Sequence, residues 1–330
     1  QLGGKMQGQL KIISGTANKK LAKDVAKYLK IKLTPADIHT FSDGEIYVRI
    51  LESVRGSDVY IIQPTSPNAN LNLMELLIMV DALKRSSPQK ITAVIPYFGY
   101  CRQDKKIAPR EPISAKLVAK MIEAAGVNRV MTFELHVPQV QGFFDIPSDN
   151  LDLIPIYAEK ILAKKLKNLV FVAPDVGGAA RTRAVARVLH APIAIVDKRR
   201  PKPGVAQVEH VVGDVKGKTV IIVDDIIDTA GTITGAASIL KKHGAKDIYV
   251  LATHAVLSGP AIKRLEEAPI KEIIITDTIE LPKEKSIGKI KVISIAPLLA
   301  ETIKRQHEGN PMGVVYDELY EKVKKKTHKK

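Results

Sequence analysis

The sequence has no tryptophan, a single cysteine and only 5% aromatic residues. One cysteine, Cys101, excludes an intramolecular disulfide and so removes the chain from the stapled secreted scaffolds. The shortage of aromatics argues against a stacking platform for single-stranded nucleic acid. Charge interrupts every apolar stretch well short of the roughly 20 residues that a membrane-spanning helix needs. No signal-peptide pattern is visible either, and together with the lone cysteine this points to the cytosol. Gln1 is not an initiator, and residues 1–5 (QLGGK), ahead of Met6, are set aside from fold reasoning. Acidic residues are also in deficit: 35 Asp and Glu against 51 Lys and Arg, a net charge of +16. Part of the excess lies in the last ten residues, EKVKKKTHKK, which read as a solvated tail. We read the surplus mainly as solubility and affinity for small polyanions, with nucleic acid as the minor alternative.

What the chain does contain is 330 residues of ordinary globular composition, enough for two domains with real cores. Apolar runs of strand length alternate with helical patterns. QLKII, DVYIIQ, ITAVIPY and VMTFEL mark the first half; LVFVAPD, PIAIVDK, TVIIVDD, IYVLATHAV, IKEIIITD and IKVISI mark the second. Such alternation predicts an α/β fold, with a mostly parallel sheet flanked by helices in each half. The break falls near GFFDIPSDN, which divides the chain into 6–147, 148–307 and a C-terminal segment 308–330.

Ligands of open α/β sheets bind beyond the carboxyl ends of strands. Five such ends carry unusual chemistry, and VIIVDDIIDTAGTIT at 220–234 is the most telling. Four consecutive β-branched residues predict a strand covered on both faces, with Asp224 and Asp225 emerging at its end. Asp228, Thr229, Ala230, Gly231 and Thr232 then lead into a helix whose free N–H groups favour a phosphate. No Walker loop is present. Two carboxylates beside a phosphate cradle would repel it unless they serve ribose hydroxyls, or a Mg2+ that those hydroxyls share. The segment therefore reads as a ribose 5-phosphate grip, the plainer alternative being a helix N-cap with acidic neighbours.

This stretch resembles the phosphoribosyl-binding signature shared by phosphoribosyltransferases and ribose-phosphate pyrophosphokinases. ESVRGSDVYIIQ, NLMELLIMVDALKR, VIPYFGYCRQDKK, PISAKLVAKM and QGFFDIP separate the two groups, for they resemble class I pyrophosphokinases, and the similarity runs from about residue 10 to about 308. The resemblance implies two phosphoribosyltransferase-like domains, Mg2+ as cofactor, ATP and ribose 5-phosphate as substrates, and a cytoplasmic homohexamer. It implies that Phe41, Asp43 and Glu45 hold adenine near a subunit interface, that Arg102 and Gln103 contact ATP, and that His136 and Asp175 meet the ATP-side Mg2+. The family usually has Asp where this chain has Glu134. Gly177 and Gly178 would admit the diphosphate. Lys198 and Arg200, in a Pro- and Gly-containing loop, match the catalytic pair.

Inorganic phosphate and ADP are implied as effectors, at positions matching Ser53, Arg55, Ser87 and Arg110. Near the C-terminus the family commonly has Glu-Ser-Val-Ser, and this chain has Asn310, Pro311, Met312 and Gly313. The alternatives at this point are a true phosphoribosyltransferase, a catalytically silent associated subunit, and a nucleic-acid module resting on charge alone.

Overall fold

The computed structural model describes residues 8–199 and 208–327, and within them strands and helices alternate as the apolar periodicity requires. In chain order the elements are β1 (Leu10–Ser14), α1 (Lys19–Leu29), β2 (Ala36–Thr40), β3 (Ile46–Ile50), β4 (Asp58–Ile62), α2 (Ala69–Arg85), β5 (Lys90–Ile95), α3 (Ser114–Ala125), β6 (Arg129–Phe133) and β7 (Ser148–Leu151). Then come α4 (Ile154–Ala163), β8 (Leu169–Ala173), α5 (Ala179–Val188), β9 (Ile193–Arg199), β10 (Val208–Val212), β11 (Thr219–Ile227), α6 (Gly231–Lys242) and β12 (Asp247–Ala255). The chain closes with α7 (Ala261–Glu267), β13 (Glu272–Thr276), β14 (Ile290–Ile293), α8 (Ala296–Glu308) and α9 (Gly313–Thr327). Among the described residues no helix is long and apolar enough to cross a membrane.

The chain divides into two compact units, each with its own sheet. The first contains the residues up to Asp152 together with Asp277–Glu280 and Ser294–Met312. Its main sheet runs β1-β4-β5-β6-β7, all parallel, and β2 and β3 form a separate antiparallel hairpin. Helix α1 begins where the Asn18 side chain accepts the Leu21 N–H at 3.0 Å, and it ends at left-handed Lys30. It buries Leu21, Ala22, Val25 and Ala26, one stripe at helical spacing.

The second unit contains Leu153–Thr276, Leu281–Ile293 and the chain from Gly313 onward. Its sheet runs β10-β9-β8-β11-β12-β13-β14, parallel except for the antiparallel β9–β10 pair at one edge. As expected, Val220, Ile221, Ile222 and Val223 of β11 are buried on both faces, each 1% exposed or less. Burial of such side chains contributes about 1.5–3 kcal/mol each, enough to hold β11 rigid beneath what emerges at its end.

Two sequence readings need correction. The continuous division at 147/148 and 307/308 misses that α8 packs against α1 and so belongs with the first unit. The basic C-terminus is also no plain solvated tail: through Thr327 it forms α9, which packs on α4 and buries Val315 and Val323. Lysines on the remaining face of α9 keep the exposed charge that the composition suggested.

Candidate active site

In the second unit the site begins at the end of β11. Side chains alternate along a strand, and Val220 and Ile222 share a core with Ile233, Ala236, Ala237 and Leu240 of α6. The same period places Asp224 on the α6 face and Asp225 on the opposite one. Asp225 is 3% exposed, and Arg181 of α5 meets its Oδ1 at 2.9 Å. The same guanidinium nitrogen lies 3.9 Å from Asp224 Oδ1, which also accepts the Asp225 N–H at 2.9 Å. Burial first, and then the neighbouring Asp225 carboxyl, push the Asp224 carboxyl up to about 8.

Beyond β11 the loop Asp228–Thr232 is braced from below. Leu257 and Ser258 donate their N–H groups to Ile227 and Asp228 carbonyls, each at 3.0 Å. Ala230 takes a left-handed conformation (φ 62°) that L-residues rarely adopt and accepts the Thr234 N–H, starting α6. Thr229, Gly231 and Thr232 are exposed. A Cβ on Gly231 would stand 3.4 Å from Arg264 Nη1, and that group donates to the Thr229 carbonyl at 3.0 Å. A helix N-terminus, small residues and a nearby cation together suit a phosphate.

The β8–α5 turn supplies Asp175, Gly177 and Gly178. Asp175 is exposed, and its Oδ1 accepts the Gly178 N–H at 3.0 Å, which fixes the turn ahead of α5. Lys198 lies in extended β9, paired in register with Glu209 of β10. Arg200 falls outside the described residues, in the segment that joins this antiparallel pair.

In the first unit, Phe41, Asp43 and Glu45 sit on the turn of the β2–β3 hairpin. The Asp43 carboxylate accepts the Glu45 N–H at 3.1 Å, and Gly44 has a φ of 97° that closes the turn. Phe41 is 48% exposed and meets His39 and Tyr47 edge-on, while those two rings stack with centroids 4.8 Å apart. Three rings at one exposed hairpin tip form a surface suited to a flat heterocycle. Beyond β5, exposed Arg102 precedes Gln103, whose Oε1 accepts the Ser114 hydroxyl at 2.6 Å at the start of α3. Beyond β6, the His136 N–H donates to the buried Cys101 Sγ at 3.2 Å, so these two strand ends meet.

The expected magnesium contacts, His136 and Asp175, belong to different units, and among the described residues no three His, Cys, Asp or Glu side chains gather as a metal cage. Asp175 is an oxygen donor of the kind Mg2+ takes beside phosphates and water, whereas the His136 imidazole is an atypical contact for that ion.

Two family models match the chain: the N-terminal domain of ribose phosphate pyrophosphokinase over residues 10–126, and the phosphoribosyl synthetase-associated domain over residues 174–317. The chain is 58% identical over 301 residues to the ribose-phosphate pyrophosphokinase of Caldanaerobacter subterraneus subsp. tengcongensis, spanning 91% of this chain and 95% of that one. It belongs to the ribose-phosphate pyrophosphokinase family. The Bacillus caldolyticus pyrophosphokinase is 54% identical over 311 residues, covering 94% of this chain and 99% of that relative. The crystal structure of phosphoribosylpyrophosphate synthetase from Mycobacterium smegmatis superposes with a TM-score of 0.87 at 43% identity, covering 92% of this chain and all of that one.

Against this pyrophosphokinase frame, the residues missed by sequence reasoning are Arg181, Arg264, His39 and Tyr47. His39 and Tyr47 flank FSDGE at the spacing that a tight hairpin brings face to face, a signal that was present. The two arginines act across 44 and 35 positions, and no local pattern announces them. Among the four positions expected to meet an effector, Ser53 and Arg55 share one turn, and the Ser87 carbonyl accepts the Gly56 N–H at 2.9 Å beside it. Arg110 stands on another loop, with a left-handed φ of 68°.

Proposed function

We propose the following division of labour for diphosphoryl transfer in this chain. The anomeric hydroxyl of ribose 5-phosphate attacks the β-phosphorus of ATP, AMP leaves, and 5-phosphoribosyl 1-diphosphate forms. Asp224 and Asp225 take the sugar diol, and the N–H groups of Asp228–Thr232 take its 5-phosphate. Gly177 and Gly178 let the backbone approach the moving diphosphate. Phe41 stacks on adenine while Asp43 and Glu45 accept from its amine. Arg102 offers a planar fork to phosphate, and Gln103, whose amide oxygen already serves α3, offers its N–H donors. Lys198 and Arg200 neutralise charge that develops in the transition state, because phosphoryl chemistry is mostly positioning and charge stabilisation. His136 and Asp175 would hold a Mg2+ together with the substrate phosphates, and the ion would supply further charge neutralisation.

The observation that carries this reading is the end of β11, where two acids on a rigid buried strand run directly into an open helix N-terminus. A coupled assay for AMP release from ATP tests it. Release should depend on ribose 5-phosphate, and release without it would overturn the reading.

A cytoplasmic homohexamer is part of the same proposal. Support for self-association is the exposure of large apolar side chains on α2 and α3, where Leu71, Met74 and Leu117 are 40%, 47% and 60% exposed, and the number six follows the family resemblance.

A further inference from the structure

The Asp224-Asp225 pair looks symmetrical in sequence, yet the two carboxyls have different neighbours. Asp224 shares the face of β11 on which α6 and its N-terminal loop lie. Asp225 faces away from that loop, and its side chain is 4% exposed. A buried carboxylate in that place carries a heavy desolvation cost unless a cation stands against it. Arg181 is that cation: its Nη1 meets Asp225 Oδ1 at 2.9 Å and lies 3.9 Å from Asp224 Oδ1. It comes from the first turn of α5, two positions into a helix that packs on both β8 and β11. The turn beneath it is fixed by the Gly178–Asp175 hydrogen bond. Arg181 is thus delivered rigidly to the carboxyl pair by the same turn that presents Gly177 and Gly178.

We propose that Arg181 is a positioning residue for the ribose 5-phosphate subsite, acting through Asp225: it holds that carboxyl in place, and by its reach toward Asp224 sets the spacing of the two diol acceptors. This rests on the reading of Asp224 and Asp225 as the diol grip. An arginine suits the task because its planar guanidinium keeps its charge when buried and can face two carboxylates at once.

The test is a double-mutant cycle on the full chain, with KM for each substrate, kcat and calorimetric binding of ribose 5-phosphate. Arg181→Gln should raise the KM for ribose 5-phosphate by roughly tenfold or more, with the KM for ATP changed by less than about twofold. Arg181→Lys, which keeps the charge and loses the planar fork, should recover only part of the loss. In an Asp225→Asn background the effect of Arg181→Gln should shrink sharply, since the carboxylate it serves is gone. An undiminished effect in that background would mean that Arg181 acts on substrate directly, and equal losses for both substrates would mean that it only supports the fold; either overturns the proposal. If Arg181→Gln does not accumulate as folded protein, Arg181→Lys carries the same comparison: a KM shift that vanishes with Asp225→Asn supports the proposal, and one that persists overturns it. The diol reading fails separately, if Asp224→Ala and Asp225→Ala both leave ribose 5-phosphate binding unchanged.

Discussion

His307 Nδ1 lies 2.9 Å from Asp58 Oδ2, joining the last turn of α8 to the first residue of β4 across 249 positions of sequence. Both side chains are largely buried, at 17% and 8% exposure. This contact, with the packing of α8 on α1, ties a late segment into the first unit. Hydrogen bonds to charged groups contribute about 1.5–3 kcal/mol, so His307→Ala should destabilise by about that much. Urea unfolding at neutral pH, paired with proteolysis of α8, measures it; a transition that does not move would show the contact to be idle.

The β9–β10 edge places Lys198 in an extended strand directly before the segment that holds Arg200. If Lys198 and Arg200 are the catalytic cations proposed above, they should act mainly on charge formed in the transition state. Lys198→Ala or Arg200→Ala should lower kcat on the order of 10³-fold, by analogy with arginine fingers, with ATP affinity nearly intact. Steady-state kinetics with a separate ATP titration decides the matter, and weakened binding at unchanged kcat would refute it.

The Asp224 carboxyl links the site to stability. Its proton would leave at the ordinary 3.8 in the unfolded chain, and in the fold it stays until about 8. Between those values the unfolded state binds fewer protons than the folded one, so this group's contribution falls as pH rises through that window. Asp224→Asn removes the titration. The stability of the variant relative to the parent should therefore be smallest near pH 4 and grow toward pH 8, with ribose 5-phosphate binding weakened throughout. Thermal melts of both proteins across this range give the difference directly, and a constant offset would contradict the linkage.

Regulation provides the last test. Gly309 closes α8 in a left-handed cap; the Asn310 N–H donates to the Arg305 carbonyl at 2.8 Å and its side chain to Glu308 at 2.9 Å. The backbone N–H of Asn310 and one of its two amide N–H groups are thus engaged at the helix end, Pro311 has no backbone donor, and Gly313 has no side chain. Where the family's hydroxyls would help hold phosphate, each missing hydrogen bond is worth roughly 1.5–3 kcal/mol. Phosphate activation and allosteric ADP inhibition should be weak, with ADP acting chiefly as a competitor of ATP. Strong phosphate dependence, together with ADP inhibition that saturating ATP does not relieve, would show an intact regulatory site.

The run Val220–Val223, the acids after it and the small residues leading into α6 were legible in the sequence because each depends on neighbours within a few positions. Strand period, β-branching and helix-start chemistry are local properties, and they sufficed for the α/β class and for proposing a ribose grip at the end of β11. Residues that act through distant partners were hidden. Arg181 looks like any exposed arginine on a helix until α5 is laid across β8 and β11. The basic C-terminus looks like a tail until Val315 and Val323 find α4. Helix α8 follows the second sheet in sequence and packs with the first, since its apolar stripe and His307 find their partners on α1 and β4. Local chemistry names the elements; which surfaces they bury against, and which carboxylate is thereby given a counter-charge, is decided only when the whole chain has packed.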